Sequence, residues 1–406
     1  MASELKKEDN MSEYEVIVIG AGISGLSFAH YCGRAGLKTL VLEKDMKVGG
    51  TLCSHRFESA EGFWLELGAH TCYNSYRNLI GLVEDCSIAD RLINREKVSF
   101  RMLVDGGIKS IPSQLNFFEL LLSGPRLFTL SQKGQSIEAY YSKIVGRTNF
   151  ERVVNPAMTA VISQRANDFP ADLLFKKRPR RKDVIKKFTL SGGLQTIADA
   201  VASQKNISII KGKEVRAITY GSGQFRVEAD GSLYETDTLA LAVPASAAAQ
   251  LLQSPFPGIS DLLSKIKVET VESAGIVINK ELIQLPPVAG LIPYSDSFYS
   301  VVTRDTVRHD KYRGFTFHFR PGLVSREGKL KRIAEVLGVD QGQLAPLVEL
   351  KNFVPALKVG HNTLVSQMEQ ALSGSRLFLT GNYFDGLAIE DCVTRSLKEF
   401  QRLMNK

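Results

Sequence analysis

The chain has 406 residues, of which 44% are hydrophobic and 23% charged, and its net charge at pH 7 is +8. This composition is that of an ordinary folded protein of two or three domains, and it excludes a long disordered or low-complexity chain. The excess of positive charge favours anionic partners, whether lipids, carboxylates or nucleic acid, without choosing among them.

The cysteines argue against both a disulfide framework and a metal site. There are five of them, an odd number, and no pair has C-x-x-C spacing. Residues 1–15 are polar and contain no apolar segment of the kind found in secretory signals, although Met11 could be an alternative start. No run of 18 apolar residues occurs, so we expect no spanning helix. A cytoplasmic location is predicted, with peripheral contact to the inner face of a membrane as an open alternative.

Residues 15–43 are predicted to form a βαβ unit. The apolar run Val16–Ile19 is typical of a buried parallel strand, and a G-x-G-x-x-G turn follows it. A helix over residues 24–35 would direct its N-terminus at a phosphate. The first glycine permits the turn, the second admits a pyrophosphate, and the third allows close helix–strand packing. The predicted cofactor contacts of this turn are Gly20, Gly22, Ile23, Ser24 and Gly25.

A second predicted strand, residues 39–42, ends at Glu43. This acid follows Gly25 by 18 residues (43 − 25), a spacing at which a carboxylate can accept hydrogen bonds from a ribose diol. A glycine-rich turn arising by chance is the alternative. The strand before the turn, the helix after it and the acid together favour a dinucleotide site.

Two further segments favour FAD over a pyridine nucleotide. A glycine pair follows the acid closely, and residues 63–70 are predicted to be an alternating strand that ends in small residues. With these motifs the chain resembles the flavin amine oxidase and protoporphyrinogen oxidase superfamily, whose N-terminal signature combines G-x-G-x-x-G-L, a distal acid, G-G and E-x-G-A-H. The predicted FAD contacts in these segments are Lys44, Gly49, Gly50, Thr51, Gly68, Ala69 and His70.

The resemblance extends along most of the chain. Residues 190–200 are similar to the family's central helix start, residues 212–218 to the strand whose valine backbone contacts adenine, here Val215, and residues 238–244 to an apolar strand ending in proline. Residues 377–392 follow the G-N-Y-x-x-G-x-x-x-x-D-C form of the protoporphyrinogen oxidase branch. A helix beginning near Ala388 would present its amides to the flavin, unless it merely packs. The predicted contacts here are Gly381, Asn382, Gly386, Leu387 and Ala388.

The predicted fold class is α/β, with a Rossmann-type FAD-binding domain built from discontinuous segments. These segments are residues 14–95, 188–248 and 370–406. Residues 96–187 are predicted to be a helical insertion, and residues 249–369 a mixed-sheet substrate domain with strands at 275–278, 300–302 and 314–319.

Two parts of the insertion leave alternatives open. The apolar stretches 115–122 and 127–130 indicate either two core helices or a hydrophobic lip that enters a membrane interface, as the membrane-associating helices do in the family. The cationic block 176–182 indicates either a solvated loop or contact with anionic lipid. Nucleic acid is not an expected partner, because no aromatic residues accompany the charges.

The resemblance implies a role for Arg101 as well. It lies in a predicted hairpin ahead of Ile111-Pro112-Ser113, and an arginine at a similar place in the family pairs with a substrate propionate. An ordinary exposed arginine is the alternative. Residues 155–162 lack the family's glycine-tyrosine pattern, which leaves the substrate pocket open. The expected small-molecule partner is apolar, planar and carboxylated.

The predicted function is that of an FAD-dependent oxidoreductase similar to protoporphyrinogen oxidase. No catalytic side chain is identified, because the flavin would accept hydride at N5 from a porphyrinogen-type substrate and pass electrons to O2 or another acceptor. A flavin amine oxidase or carotenoid-type desaturase with a different substrate, and a non-catalytic FAD-binding scaffold, are the alternatives.

Overall fold

The buried run Val16–Ile19 is the central strand of a parallel sheet in the computed structural model, which describes residues 14–344 and 346–405. Met11, the alternative start, lies outside the described residues. The predicted fold class is confirmed, since this Rossmann-type sheet is joined to a mixed sheet and to a group of helices.

The strands of the described residues are, in chain order, β1 (Val16–Ile19), β2 (Thr39–Glu43), β3 (Ser54–Phe57), β4 (Phe63–Glu66), β5 (Cys72–Tyr73), β6 (Leu92–Asn94), β7 (Phe100–Val104), β8 (Gly107–Ser110), β9 (Lys187–Leu190), β10 (Ile207–Lys211), β11 (Val215–Gly221), β12 (Gln224–Ala229), β13 (Ser232–Thr236), β14 (Thr238–Leu241), β15 (Lys267–Asn279), β16 (Gly290–Pro293), β17 (Phe298–Thr303), β18 (Tyr312–Phe319), β19 (Val348–Ala356) and β20 (Leu377–Leu379).

The α-helices of the same residues are α1 (Ile23–Arg34), α2 (Arg77–Asp85), α3 (Phe117–Ser123), α4 (Ile137–Val145), α5 (Arg147–Asn149), α6 (Asn155–Ile162), α7 (Gln195–Ala202), α8 (Ala245–Leu252), α9 (Pro257–Ser264), α10 (Arg326–Leu337), α11 (His361–Ala371) and α12 (Ile389–Met404).

The parallel sheet has the order β10-β2-β1-β14-β20, and each adjacent pair of strands is parallel. Val16 and Val18 pack on one face against α1, α7 and α12, while Ile17 and Ile19 pack on the other against α8, α9 and the β11–β13 sheet. Burial of both faces explains why β1 is apolar at every position. All five strands come from the three segments predicted for this domain.

The second large sheet has the order β19-β15-β18-β17-β16-β7-β8 and is antiparallel except where β16 pairs with β7. Its outer face, which includes Leu103 and Phe317, packs on α10. Its inner face, which includes Met102 and His318, is turned towards α6 and His70. The two faces follow from the alternation of side chains along each strand.

One prediction about residues 63–110 needs correction. Strand β4 does not alternate, because Phe63–Glu66 is buried at all four positions between β3 and the mixed sheet. In the predicted insertion, residues 96–187, the first α-helix begins at Phe117. Its first part forms the hairpin β7–β8, which completes the mixed sheet through pairing of β7 with β16.

Candidate functional site

The glycine-rich turn leaves β1 at the carboxyl edge of the parallel sheet, as predicted. Gly20 has a φ of +99°, a left-handed conformation that favours glycine. A Cβ atom on Gly22 would meet no atom within 4 Å outside its own chain neighbours, so there is open space before the N-terminus of α1. Helix first-turn amides have no partner within the helix. This arrangement can accept a phosphate at the predicted place.

Glu43 lies at the end of β2, beside the turn. Its carboxylate accepts hydrogen bonds from the backbone N–H of Ala21 (2.6 Å) and of Asp45 (2.9 Å). The backbone carbonyl of Glu43 also accepts from Lys213 N–H, which brings the start of β11, at Val215, to the same edge. The carboxylate of Glu43 therefore holds the glycine-rich turn in place. Its hydrogen bond to a ribose stays a prediction.

The glycine pair lies against the same turn. Gly49 donates its N–H to the carbonyl of Ala21 at 2.8 Å and pairs with Gly22 as an isolated parallel bridge. Next to it, the carbonyl of Thr51 accepts from Ala69 N–H at 2.9 Å. The predicted segments 49–51 and 68–70 are thus adjacent. Lys44 and Gly50 are exposed beside them.

The C-terminal segment completes this group, as the strand, turn and helix predicted for residues 377–392 are observed. Helix α12 begins at Ile389, with Ala388 at its N-cap and Gly386 in the preceding turn at a φ of +140°. It packs along α1, and the Ser396 hydroxyl donates to the carbonyl of Ser24 at 2.8 Å. The middle of α12 therefore packs on the first turn of α1, while Glu390 in the first turn of α12 accepts from N–H groups of α2.

These features fit a dinucleotide. The open space at Gly22 admits a pyrophosphate, the first turn of α1 supplies donors, and Glu43 supplies an acceptor for a ribose. The glycine-rich turn, Glu43 and Gly49 are adjacent, and Lys213 brings the start of β11, with Val215, beside Glu43. Direct contact of each residue with the cofactor stays a prediction.

His70 presents a neutral imidazole at this edge. Its Nδ1 donates to the carbonyl of Gly68 at 3.1 Å, and burial, with a contribution from Arg95, lowers its pKa to about 4. His318, on the inner face of the mixed sheet, stacks on it with ring centroids 6.5 Å apart, and burial lowers the pKa of His318 to about 3. Sequence reasoning missed His318, since nothing local links it to His70.

The substrate contact at Arg101 stays a prediction, and strand β7 sets where its side chain lies. Alternation along β7 directs Arg101 to the same face as Leu103, which packs in the outer core on α10. Met102 and Val104 point to the inner face, where they pack against Val153 of the helical insertion. Arg101 is exposed on the face of the mixed sheet opposite His70, a position that favours the alternative of an ordinary surface arginine.

Three charged residues lie beside His70, and sequence reasoning missed the two arginines among them. Glu66 is buried and accepts from the Ser54 hydroxyl (2.7 Å) and from Leu194 N–H (2.8 Å). Arg95 donates to the carbonyl of His70, and Arg304 stacks over aromatic rings of β4. The E-x-G-A-H motif pointed to Glu66, but the arginines belong to no motif.

The apolar stretch 115–130 is not a pair of core helices. In α3 the side chain of Glu119 is turned inward, where it accepts from the backbone N–H groups of Thr148 (2.9 Å) and Asn149 (3.0 Å). The apolar side chains are instead exposed, between 54% and 90%. We call this set the apolar lip; it comprises Phe117, Phe118, Leu121, Leu122, Leu127 and Phe128.

The cationic block is only partly a solvated loop. Arg178 pairs with Asp391 in the first turn of α12 at 2.5 Å, Lys176 donates to the carbonyl of Asp385, and Arg181 pairs with Glu84 at 2.8 Å. Three cations of the block, Lys177, Arg180 and Lys182, are exposed. Two cations of the block therefore tie the insertion to the C-terminal segment, and Arg181 ties it to α2.

In the part of the chain that the structure describes, no helix is both long and apolar enough to span a bilayer.

Comparison with known proteins relates the sequence to flavoproteins. Residues 23–278 match the model of a family described as flavin containing amine oxidoreductase. The 15-cis-phytoene desaturase of Narcissus pseudonarcissus is 38% identical over 78 residues, which are 19% of this chain and 13% of the relative. Nicotine dehydrogenase of Pseudomonas putida is 35% identical over 104 residues, 24% of this chain and 20% of the relative. These matches therefore span less than a quarter of the relatives' own lengths.

Solved structures share the fold over nearly the whole chain. A protein from Exiguobacterium sp. 255-15, provisionally named protoporphyrinogen oxidase, has a TM-score of 0.78 and 18% identity, covering 98% of this chain and all of its own. Cyclohexylamine oxidase from Brevibacterium oxydans has a TM-score of 0.73 and 13% identity, covering 97% and 99%. At these identities the likeness concerns the fold alone.

Proposed function

This chain belongs to the flavin containing amine oxidoreductase family, and from that premise we propose that it uses FAD to oxidise a porphyrinogen-type substrate. The observation that carries the proposal is the segment from Gly381 to Cys392, which has the protoporphyrinogen oxidase form and leads into α12, the helix that packs on the first turn of α1 through Ser396. When bound, the flavin would supply the redox chemistry, accepting hydride from a substrate carbon and passing electrons to O2 or another acceptor.

The residues of this chain would bind and orient the cofactor. The α1 amides and the space at Gly22 would hold the pyrophosphate, and Glu43 would bind the adenosine ribose. His70 and His318 are neutral at physiological pH, so they would add no positive charge where substrate and flavin meet. Protons lost from substrate nitrogens can pass to solvent, so no dedicated base is required.

The apolar lip supports a role for a membrane surface as a partner. Its six large apolar side chains lie between residues 117 and 128 and are exposed, whereas a soluble protein ordinarily turns the apolar side of a helix inward. We propose that the lip enters the interface of an anionic membrane, so that an apolar substrate reaches the protein without crossing water. The exposed cations Lys177, Arg180 and Lys182 would add attraction to anionic headgroups.

A carotenoid-type desaturase is the second candidate, because several of the curated relatives are 15-cis-phytoene desaturases. It shares the need for an apolar substrate delivered from a membrane. It differs in that its substrate would carry no carboxylate. A porphyrinogen would need cationic side chains near the flavin to pair with its carboxylates, and a carotenoid would not.

Anaerobic mixing of the purified yellow protein with reduced substrates tests the proposal. Protoporphyrinogen should bleach the flavin absorbance within the mixing experiment, and phytoene in detergent should not. Bleaching by phytoene alone would replace the first candidate with the second. If FAD is bound but neither substrate bleaches it, the protein is either a non-catalytic scaffold or an oxidase of another substrate, such as an amine.

A further inference from the structure

A row of buried polar side chains crosses three adjacent strands on the inner face of the mixed sheet. Asn352 of β19, Ser273 of β15 and His318 of β18 are 7%, 0% and 5% exposed, and we call them the polar row. Ser273 lies directly opposite His318 in one antiparallel pair, and Asn352 lies diagonal to Ser273 in the next. Burying polar groups is costly unless they bond to one another, so a sheet face that only packs would carry apolar side chains here.

The polar row begins at a backbone carbonyl, which fixes the orientation of the Asn352 amide. The Nδ2 of Asn352 donates to the carbonyl of Leu67 at 2.9 Å and to the Oγ of Ser273 at 2.8 Å. A carbonyl can only accept, so the NH2 end of the side chain must face Leu67, and its second hydrogen points to Ser273. Ser273 is therefore an acceptor towards Asn352.

The hydroxyl of Ser273 has one hydrogen, and His318 is the partner that can receive it. The Oγ of Ser273 and the Nδ1 of His318 are 2.9 Å apart. If Nδ1 carried a hydrogen and donated to Ser273, the hydroxyl hydrogen of this fully buried serine would have no acceptor in the described part of the chain. An unpaired buried donor costs its full desolvation. Ser273 therefore donates, and Nδ1 of His318 accepts.

The Nε2 of His318 then carries the hydrogen of the ring. Burial lowers the pKa of His318 to about 3, so the ring is neutral and has a single N–H. This Nε2 has no hydrogen-bond partner among the described residues, and unlike the unpaired Oγ of Ser300 it is not enclosed by protein. His70 has the opposite tautomer, because its Nδ1 donates to the carbonyl of Gly68 and its ring is neutral too. The two stacked rings therefore present one donor and one acceptor.

We propose that Ser273 and Asn352 are positioning residues, which hold His318 as a hydrogen-bond donor, through Nε2, to the ligand that lies against His70. The group that His318 binds is an acceptor atom, a carbonyl oxygen or an unprotonated ring nitrogen, of the flavin or of the substrate. The inference rests on the proposed function, which places flavin and substrate beside His70. Because three hydrogen bonds fix this donor in advance, no reorganisation is needed when the acceptor gains electron density.

The tautomers can be measured by NMR on the full-length protein labelled with 15N-histidine, because protonated and unprotonated imidazole nitrogens differ widely in chemical shift. His318→Gln and His70→Gln identify the signals of these two among the six histidines. The spectrum should show a protonated Nε2 and an unprotonated Nδ1 for His318, and the reverse for His70. A protonated Nδ1 in His318, whether or not Nε2 is protonated as well, would overturn the proposal.

Variants of the polar row should change this spectrum. Asn352→Asp keeps the shape of the side chain but removes the donor to Ser273. The Ser273 hydroxyl should then turn to the carboxyl group, and His318 should change to the Nδ1–H form and donate to Ser273. Ser273→Ala should leave a mixture of both tautomers, since nothing then selects one. An unchanged tautomer in both variants would overturn the proposal.

The matched control is Ser300→Ala. Ser300 is a buried serine of β17, directly opposite His318 on its other side, and its hydroxyl has no hydrogen-bond partner among the described residues. The substitution is the same and so is the neighbouring histidine, but no hydrogen bond to His318 is lost. Ser300→Ala should therefore keep the wild-type tautomer of His318, and a change equal to that in Ser273→Ala would overturn the role of Ser273.

Titrations distinguish the two sources of the acceptor. If it belongs to the flavin, Ser273→Ala should weaken FAD by about 2- to 10-fold, the loss of one neutral hydrogen bond, and shift the reduction potential of the bound flavin. If it belongs to the substrate, Ser273→Ala should weaken protoporphyrin IX by that factor and leave FAD affinity unchanged. Ser300→Ala should weaken neither. Unchanged affinity for both compounds in Ser273→Ala would overturn the contact between His318 and a ligand.

This inference and the proposed function can fail separately, because the tautomers are measured without turnover. If protoporphyrinogen bleaches the flavin but His318 carries its hydrogen on Nδ1, the proposed function stands and the role of the polar row falls. If the tautomers are as expected but no porphyrinogen bleaches the flavin, the role of the polar row stands and the substrate assignment falls.

Discussion

Gly22 and Gly25 lie within one turn of each other at the start of α1, yet they differ in what a side chain would meet. A Cβ on Gly22 would have no protein atom within 4 Å beyond its neighbours, whereas one on Gly25 would lie 1.9 Å from the carbonyl oxygen of Gly20. The first glycine therefore leaves room for something other than protein, and the second allows the helix to pack on the turn.

This difference predicts opposite behaviour for two variants. Gly22→Val creates no clash, so the melting temperature of the flavin-free protein should stay close to that of the wild type. Its free energy of unfolding should change by no more than about 0.5 kcal/mol. It should lose the flavin absorbance, because the valine would occupy the space of the pyrophosphate. Gly25→Ala should destabilise the fold itself by about 3 kcal/mol or more, since backbone must move. Flavin retained at full occupancy in Gly22→Val would argue against the site.

Glu43 is expected to affect both cofactor and fold. Because its carboxylate accepts from Ala21 and Asp45, Glu43→Ala should lower the free energy of unfolding of the flavin-free protein and also weaken FAD, each by about 1–3 kcal/mol. Glu43→Gln keeps one acceptor oxygen and should lie between wild type and Glu43→Ala in both measurements. Urea unfolding and equilibrium FAD titration separate the two effects. Loss of stability with unchanged FAD affinity would leave the acid a purely structural role.

The apolar lip should bind lipid without contributing to the core. Phe117→Glu with Leu121→Glu should abolish co-sedimentation with anionic liposomes and leave the melting temperature unchanged, since the two side chains are 62% and 74% exposed. The control is Leu233→Glu with Leu323→Glu, which changes two apolar side chains of similar exposure elsewhere. If the wild-type protein stays in the supernatant at low salt both with and without liposomes, the apolar lip does not bind lipid.

The cationic block should respond in two ways. Neutralising the exposed Lys177, Arg180 and Lys182 should weaken liposome binding, and the effect should shrink as salt rises. Arg178→Gln should instead lower thermal stability, because it removes the 2.5 Å ion pair with Asp391 and leaves that carboxylate with Lys176 at 3.6 Å. A lipid effect of the same size from Arg178→Gln alone would show that the inward cations also face the membrane.

His318 makes stability depend on pH. Its pKa, about 3 in the folded protein against 6.5 in the unfolded chain, is lowered by burial. The unfolded state therefore binds more protons below pH 6.5, so the stability from this residue is complete above that pH and is lost progressively as pH falls towards the folded value. His70 acts in the same direction. His318→Asn should reduce the pH dependence of the unfolding free energy between pH 6.5 and 4.5 by up to about 1.4 kcal/mol per pH unit. An unchanged slope would show that His318 is protonated in the folded state.

Local sequence determined the cofactor-binding half of this protein. The run Val16–Ile19, the three glycines that follow and Glu43 are close in sequence, and their chemistry allows one arrangement: strand, turn, helix, strand. The same holds for the turn that precedes α12. These features depend on backbone conformation and on the periodicity of apolar residues, and both are set by residues that are close in sequence.

Tertiary structure decided which side chains meet. Pairing of β7 with β16 sets the face to which Arg101 points, and a register change of one residue would have reversed it. Arg304 reaches Trp64 and His70 only because β18 packs on β4, which joins parts of the chain more than 230 residues apart (304 − 70 = 234). Likewise Glu119 turns inward to cap α5, which leaves the apolar lip exposed. The pattern of apolar residues alone is equally compatible with a buried helix.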